Sequence, residues 1–169
     1  MGKVRFHREV EVLRPSCAGE PEGWIALCSE LMLPRPFHHA FLVRDLAETR
    51  RFYVDVLGCS EGRSASTWMD FELFGNQLSC HLGEPAPTQR VGEVDNIRVP
   101  LPHFGVIVTF DEYEQLAARL VRANVDFIVT PRIRYAGQPG EQGTFFLLDP
   151  SGNAIEIKAF VRPDEIFVG

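Results

Sequence analysis

Several features that mark other protein classes are missing from this sequence. The 169 residues include only four cysteines, and no two of them form a Cys-x-x-Cys pair, so neither a disulfide scaffold nor a paired-cysteine zinc site is indicated. The apolar runs are far shorter than the roughly 20 residues that cross a bilayer. No stretch of lysine and arginine is dense enough to neutralise a row of phosphates, and the net charge is −6. We therefore expect neither a membrane nor a nucleic acid as a partner.

The start of the chain also lacks a secretory signal, because no apolar stretch or small-residue cleavage site follows its basic residues. We therefore expect a cytoplasmic protein in which Cys17, Cys28, Cys59 and Cys80 stay reduced. What the chain does contain is 45% apolar residues, 24% charged residues and 13 phenylalanines. This composition and length are typical of one folded domain with an ordinary core.

A regular pattern of strand and helix begins after residue 36. The apolar run His38–Val43 has the length of a strand. Asp45, with Glu48 three residues later, is typical of a helix start in which both side chains cap exposed N–H groups. The apolar positions that follow predict a helix over Leu46–Leu57, and Gly58 supplies the left-handed residue that ends it.

The same pattern begins again at His103–Val108. Asp111 with Glu114 is the predicted cap of a second helix, which Asn124 closes. The remaining strand-like segments are Thr67–Phe74, Gln77–Leu82, Phe127–Thr130, Thr144–Leu148 and Ala154–Phe160. Each half thus predicts a strand, a helix and two or three further strands. The stretch Gln89–Pro102 has no helical or strand period, and we interpret it as a linker.

These patterns divide the chain into one domain, at residues 37–161, with short segments on either side. The predicted segments are an N-terminal extension at 1–36, a first module at about 37–88, the linker at about 89–102, a second module at about 103–161 and a tail at 162–169.

Histidines and a glutamate lie at related positions of the two halves. Aligning the first strands places His38 opposite His103, and aligning the two Gly-Asn turns places Ser79 opposite Glu156. His81 follows Ser79 by two residues and lies on the same strand face. Two imidazoles and one carboxylate suit a borderline divalent ion and leave coordination positions open. Each residue alone is better explained as an ordinary strand-end histidine or a solvated glutamate, and it is the repeated placement that favours a metal site.

Four segments carry a resemblance to a known family: His38–Leu46, Phe52–Gly58, His103–Val106 and, as the most specific, Leu148–Glu156. With them the chain resembles the vicinal oxygen chelate superfamily, which includes glyoxalase I, extradiol dioxygenases, metal-dependent epimerases and the metal-free bleomycin resistance proteins. The resemblance implies an α+β fold in which two βαβββ modules pair into an open eight-stranded mixed barrel around a metal site.

The resemblance also implies roles for individual residues. Members of the family take metal ligands from the first and last strands of the modules, positions that His38, His103 and Glu156 occupy here. At the end of the first module this chain departs from the glyoxalase pattern, because His81 lies two residues away from the ligand position. We interpret His81 as a catalytic acid or base, or as a fourth ligand; a surface histidine is the alternative.

The segment Arg132–Phe146 resembles the hairpin that borders the pocket in related members. On that resemblance Arg134 and Tyr135 would bind an anionic or phenolic oxygen of the substrate. Tyr135 is also counted as catalytic, and Phe146 as substrate-binding. The alternatives are that the arginine is solvated and that the phenylalanine belongs to the core.

The resemblance leaves three functions open. The first is an oxidoreductase of the extradiol dioxygenase type, in which Fe(II) or Mn(II) acts on a catechol-like substrate. The second is a glyoxalase-type lyase or an epimerase that uses Ni(II) or Zn(II), with His81 as a ligand. The third is a metal-free protein that binds a small hydrophobic or cationic compound. A homodimer, in some members with the site shared across its interface, is implied as well.

Overall fold

The computed structural model describes residues 35–167, so most of the extension predicted for residues 1–36 lies outside the described part. Within the described part, residues 36–167 form one compact unit. The strands are β1 His38–Val43, β2 Ser60–Ala65, β3 Trp68–Leu73, β4 Asn76–Leu82, β5 Gln89–Val94, β6 Ile97–Leu101, β7 His103–Ile107, β8 Phe127–Arg134, β9 Gln142–Leu148 and β10 Ala154–Phe160. The helices are α1 Leu46–Arg50, which continues as a π-helical segment at Arg51–Leu57, and α2 Phe110–Arg122; a 3₁₀ turn spans Pro163–Glu165.

Two four-stranded sheets form the framework. Their strand orders are β1-β4-β3-β2 and β7-β10-β9-β8. In each sheet the first strand of the module runs parallel to the last, and the other neighbours are antiparallel. The predicted α+β fold of two βαβββ modules with open sheets is therefore confirmed. The edge strand β2 was not expected, because all six of its residues are exposed and it has no apolar alternation.

Local chemistry explains the helix ends, with one correction. Asp45 accepts a hydrogen bond from the backbone of the first helical turn, and Asn124 has the left-handed φ of +54° after the second helix. The predicted cap Asp111 is wrong. Thr109 caps α2 instead, because its hydroxyl accepts from the N–H of Glu112 while the Glu112 carboxylate accepts from the N–H of Thr109. Asp111 lies inside the first turn.

The prediction that Gln89–Pro102 is a linker without strands is wrong, because this stretch forms the β5–β6 hairpin. The turn residues Asp95–Asn96 have φ values of +55° and +57°, which is the geometry of a two-residue hairpin turn that follows the twist of its strands. Val99 of the hairpin packs against Phe146 and Val129 of the second sheet. The sequence did not indicate this hairpin, because the stretch contains prolines and charged residues and its turn has no glycine.

One hydrophobic core joins the two modules. Its buried members come from both halves and include Val43, Tyr53, Leu57, Phe71, Tyr113, Leu120, Phe145 and Ile155. Cys59 and Cys80 are buried free thiols whose pKa values are raised by burial, as expected of reduced cysteines, whereas Cys17 and Cys28 lie outside the described residues. In residues 35–167 no helix is long and apolar enough to span a membrane.

A buried carboxylate joins the turn before β10 to the first module. Asp149 is 4% exposed and accepts hydrogen bonds from the N–H groups of Ser151 at 2.9 Å and Asn153 at 2.8 Å, and from the Tyr53 hydroxyl at 3.3 Å. The side-chain amide of Asn153 donates to the carbonyl of Leu42 at 3.0 Å. The end of β1 is thereby held beside the start of β10.

We expect Asp149→Ala to lower the free energy of unfolding by roughly 2–4 kcal/mol, because several buried donors would lose their acceptor. Urea denaturation monitored by circular dichroism measures the effect. Asp164→Ala, at an exposed position, is the matched control and should change the midpoint little. Equal midpoints for the two variants would show that Asp149 does not hold the modules together.

Candidate functional site

Two of the three predicted ligands meet on the second sheet. His103 begins β7, and Glu156 lies in the neighbouring strand β10, with His103 Nε2 3.5 Å from Glu156 Oε2. The second carboxylate oxygen, Oε1, accepts a hydrogen bond from the Thr144 hydroxyl at 2.7 Å. Lys158 Nζ lies 3.4 Å from Oε2. We call His103 and Glu156 the imidazole–carboxylate pair.

The charges of this pair favour a shared cation. Burial acts to raise the pKa of Glu156, but hydrogen bonds from His103 and Thr144 and the charge of Lys158 outweigh it, and the net shift is downward. The pKa of His103 is raised, chiefly by its hydrogen bond to Glu156, while burial acts in the opposite direction. Both shifts favour a positive charge beside the ionised Glu156 carboxylate, a charge that a proton on His103 or a metal ion can supply.

The two repeat-equivalent histidines are oriented in the same way. His103 Nδ1 lies 2.7 Å from the carbonyl oxygen of Pro100, and His38 Nδ1 lies 3.0 Å from Gln77 Oε1. The Gln77 amide donates to Asp70 at 3.1 Å, which identifies the oxygen that faces His38. Because a carbonyl oxygen only accepts, each Nδ1 carries a proton, and Nε2 is the nitrogen that could bind a metal ion once it has lost its own proton. In His103 that second proton is the one donated to Glu156. Imidazoles that bind metals are commonly oriented by such hydrogen bonds.

Within one chain, His38 does not join the imidazole–carboxylate pair. The end of β1 lies beside the start of β7, because Leu42 and His103 border the same cavity, of about 300 Å³. Ile107, at the end of β7, borders a different cavity together with Phe74. Phe74 lies just before β4, whose first residues pair with the start of β1. The strands therefore run in opposite senses, and His38 and His103 lie on the order of 10–15 Å apart along them. In residues 35–167 no three His, Cys, Asp or Glu side chains are grouped closely enough to hold a metal ion.

The other two histidines of the described sheets lie on different faces. His39 is half-buried, with its ring 4.6 Å from that of Phe104 and 5.3 Å from that of Phe41, and burial lowers its pKa. His39 therefore lies on the strand face opposite to that of His38. His81 is exposed, and its ring stacks on Trp68 at 6.3 Å. His81 is thus available at the surface of the first sheet.

The remaining predicted site residues lie beyond the pair. The Arg134 side chain is 4% exposed; Nη2 donates to the Tyr135 hydroxyl at 3.1 Å, whereas Nε has no hydrogen-bond partner and lies 3.8 Å from the carboxylate of Asp95. Tyr135 has a left-handed φ of +55°. Phe146 is 1% exposed, and its ring centroid lies 5.1 Å from that of His103, with the two rings perpendicular. Phe146 therefore supports the imidazole from within the protein, and Arg134 contacts the turn of the β5–β6 hairpin.

Sequence reasoning missed two polar groups that contact the carboxylate of Glu156. Thr144 comes from β9 and Lys158 from β10 itself. Strand alternation was the available signal for the lysine, since residues two apart in a strand share a face. Nothing in the sequence marked the threonine, because its contact depends on the pairing of β9 with β10. At the matching position of the first sheet, the Ser79 hydroxyl donates to the carboxylate of Asp70 at 2.5 Å.

Comparison with known proteins agrees with this fold. The model of the Glyoxalase/Bleomycin resistance protein/Dioxygenase superfamily matches residues 35–157. A solved glyoxalase/bleomycin resistance protein/dioxygenase from Alicyclobacillus acidocaldarius is 30% identical; the match covers 79% of this chain and 97% of that one, with a TM-score of 0.65. None of the curated protein sequences matches.

Two further solved structures share the fold. A virulence protein from Salmonella typhimurium is 22% identical, with 78% of this chain and 100% of that chain covered and a TM-score of 0.54. The genomically encoded fosfomycin resistance protein from Listeria monocytogenes is 20% identical, with 79% and 98% covered and a TM-score of 0.53. At this level of identity the likeness concerns the fold alone.

Proposed function

Because the chain belongs to the glyoxalase/bleomycin resistance protein/dioxygenase superfamily, we propose that it is a divalent-metal enzyme of the extradiol dioxygenase type. It would use Fe(II) or Mn(II) to cleave a small catechol-like substrate that has two adjacent oxygen atoms. The observation that carries the proposal is the imidazole–carboxylate pair, in which His103 Nε2 lies 3.5 Å from Glu156 Oε2. A third ligand completes a set of two histidines and one carboxylate that leaves positions open for substrate.

The residues present fit such an ion. One imidazole and one carboxylate oxygen already converge, and both histidines that we assign as ligands have Nδ1 hydrogen-bonded to a carbonyl oxygen, which leaves Nε2 as the nitrogen for an ion. A divalent ion there would polarise two substrate oxygens as a Lewis acid, and Fe(II) or Mn(II) would add redox chemistry toward dioxygen. The protein itself holds Glu156 through Thr144 and His103 through Pro100, so both ligands are oriented before any ion binds.

The third ligand, His38, would come from a second copy of the chain. Two protein ligands are fewer than catalytic metal sites commonly have, and His38 of the same chain lies at the wrong end of its strand. The faces that carry the ligands also leave apolar side chains uncovered: Leu42 is 41% exposed on the strand face of His38, and Ile107 is 48% exposed on the strand face of His103. A homodimer that pairs the first sheet of one protomer with the second sheet of its partner would cover these side chains.

The same pairing supports the roles proposed for other residues. His81 shares its strand face with Ser79, which lies opposite Ala40 two residues from His38, so a second copy would bring His81 to the site together with His38. His81 then serves as an acid or base near the substrate. Tyr135 and Arg134 remain proposed contacts for a phenolic or anionic oxygen.

Metal analysis with an oxygen-uptake assay tests the proposed function. We expect protein purified without chelators to contain about one Fe or Mn per chain, and to consume oxygen with a catechol that it cleaves. His38→Ala and Glu156→Gln should both lose the metal. Ni or Zn without oxygen uptake would favour a lyase or epimerase, and no metal after reconstitution would favour a small-molecule binding protein; either result contradicts the dioxygenase.

Gln77→Leu tests the orientation of His38. Without the amide oxygen, the imidazole loses the acceptor that holds its tautomer, and we expect Mn(II) affinity to fall roughly tenfold. Competition with a chromogenic chelator measures this affinity. Gln115→Leu, on the exposed surface of α2, is the control and should bind Mn(II) as the unmodified protein does. If Gln77→Leu also binds with unchanged affinity, the hydrogen bond does not prepare His38 for a metal.

A further inference from the structure

The ammonium group of Lys158 already contacts the carboxylate oxygen that faces His103. Nζ lies 3.4 Å from Glu156 Oε2, and His103 Nε2 lies 3.5 Å from the same oxygen. The other oxygen, Oε1, is occupied by the hydroxyl of Thr144 at 2.7 Å. Oε2 is therefore the oxygen that remains available to a metal ion. At present the positive charge of Lys158 compensates the negative charge of the Glu156 carboxylate.

A divalent ion at Oε2 would repel this ammonium group, because like charges interact strongly in partly buried surroundings. The Lys158 side chain is 27% exposed and consists of a flexible stem that ends in a point charge, so it can leave Glu156 without leaving the site. Once displaced, the ammonium would need a new anionic partner, since an unpaired charge in such surroundings is costly.

We propose that Lys158 exchanges partners when the metal binds: it releases Glu156 and receives an anionic oxygen of the substrate. The substrate class is then a small anion in which a carboxylate, phosphate-like or phenolate oxygen lies next to the oxygens that chelate the metal. This inference rests on the proposed metal site at His103 and Glu156, and it assigns to that site a specificity-determining residue.

The surroundings of Lys158 support an anionic ligand. In the second sheet Lys158 lies opposite Thr144, and Thr144 lies opposite Arg132, so the two cations share one face. Lys158 is also the only lysine of residues 35–167, where all other permanently cationic side chains are arginines. An arginine would hold a carboxylate through a planar fork of donors, whereas a lysine changes partners more readily.

Two variants of the full chain test the exchange. Lys158→Met keeps the length of the side chain without its charge, and Lys158→Arg keeps the charge. We expect Lys158→Met to bind Mn(II) about tenfold more tightly than the unmodified protein, because its competitor is gone, and Lys158→Arg to stay within about threefold. Inorganic phosphate is then titrated calorimetrically into the Mn(II)-loaded proteins. Here Lys158→Met should bind at least about tenfold more weakly, while Lys158→Arg retains binding.

Each outcome decides a separate step. Equal Mn(II) affinity for Lys158→Met and the unmodified protein overturns the exchange, and unchanged phosphate binding overturns the preference for an anion. Glu156→Gln distinguishes these results from failure of the metal site: if the unmodified protein binds Mn(II) no better than Glu156→Gln, the site and the exchange are both wrong. Circular dichroism verifies folding, and Lys158→Gln replaces Lys158→Met if the latter does not fold.

Discussion

Mixing His38→Ala chains with Glu156→Gln chains is expected to restore about one quarter of the metal sites, although each variant alone should bind almost none. In a dimer with shared sites, each site takes His38 from one protomer and the imidazole–carboxylate pair from its partner. A mixed dimer therefore combines both substitutions in one site and leaves the second site intact. Half of randomly formed dimers are mixed, and half of their sites are complete.

The experiment requires unfolding and joint refolding of the two variants, or their coexpression, followed by metal analysis of the dimer fraction. Mixed samples of His103→Ala and Glu156→Gln provide the control. Those two residues come from the same protomer, so each site of a mixed dimer still lacks one of them. The shared site is supported if the first mixture regains metal while the control mixture binds no more metal than its two variants do separately. No recovery in the first mixture would place all three ligands in one chain or remove His38 from the set.

Gly105→Ala is expected to cost about 3 kcal/mol of unfolding free energy and to abolish metal binding. Gly105 pairs with Glu156 across the parallel strands β7 and β10. A Cβ atom at Gly105 would lie 2.1 Å from the backbone oxygen of Glu156 and 3.1 Å from its Cβ. Backbone atoms cannot move aside as a side-chain tip can, so β7 must shift away from β10. The same shift would separate His103 from Glu156.

Gly92→Ala is the matched control for this prediction. Gly92 is also a strand glycine, but a Cβ there meets the side-chain tips of Val99 at 2.8 Å and Leu101 at 3.1 Å, which can rotate. We expect a smaller loss of stability and nearly unchanged Mn(II) binding. Chemical denaturation and chelator competition measure the two effects separately. If Gly105→Ala retains the metal affinity of the control, the close approach of the two strands is not what positions the pair.

Short-range chemistry made much of the fold predictable. The cap at Asp45 and the left-handed residues Gly58 and Asn124 each depend on neighbours a few residues apart. The same is true of the alternating apolar and polar residue types at the start of β10. Where the local signal was ambiguous, the prediction failed, as it did for the cap of α2 and for the hairpin that replaces the expected linker. The pairing of His103 with Glu156 was also predictable, because both lie in adjacent strands of one module.

The sequence by itself thus determined the two modules, their helices and the candidate pair on the second sheet. Only the tertiary structure decided that His38 lies away from this pair and that Lys158 and Thr144 contact its carboxylate. The physical reason is that alternation and capping act over a few residues, whereas these distances depend on how whole strands pack. An internal repeat aligns His38 with His103 in sequence, but the opposite directions of β1 and β7 separate them in space.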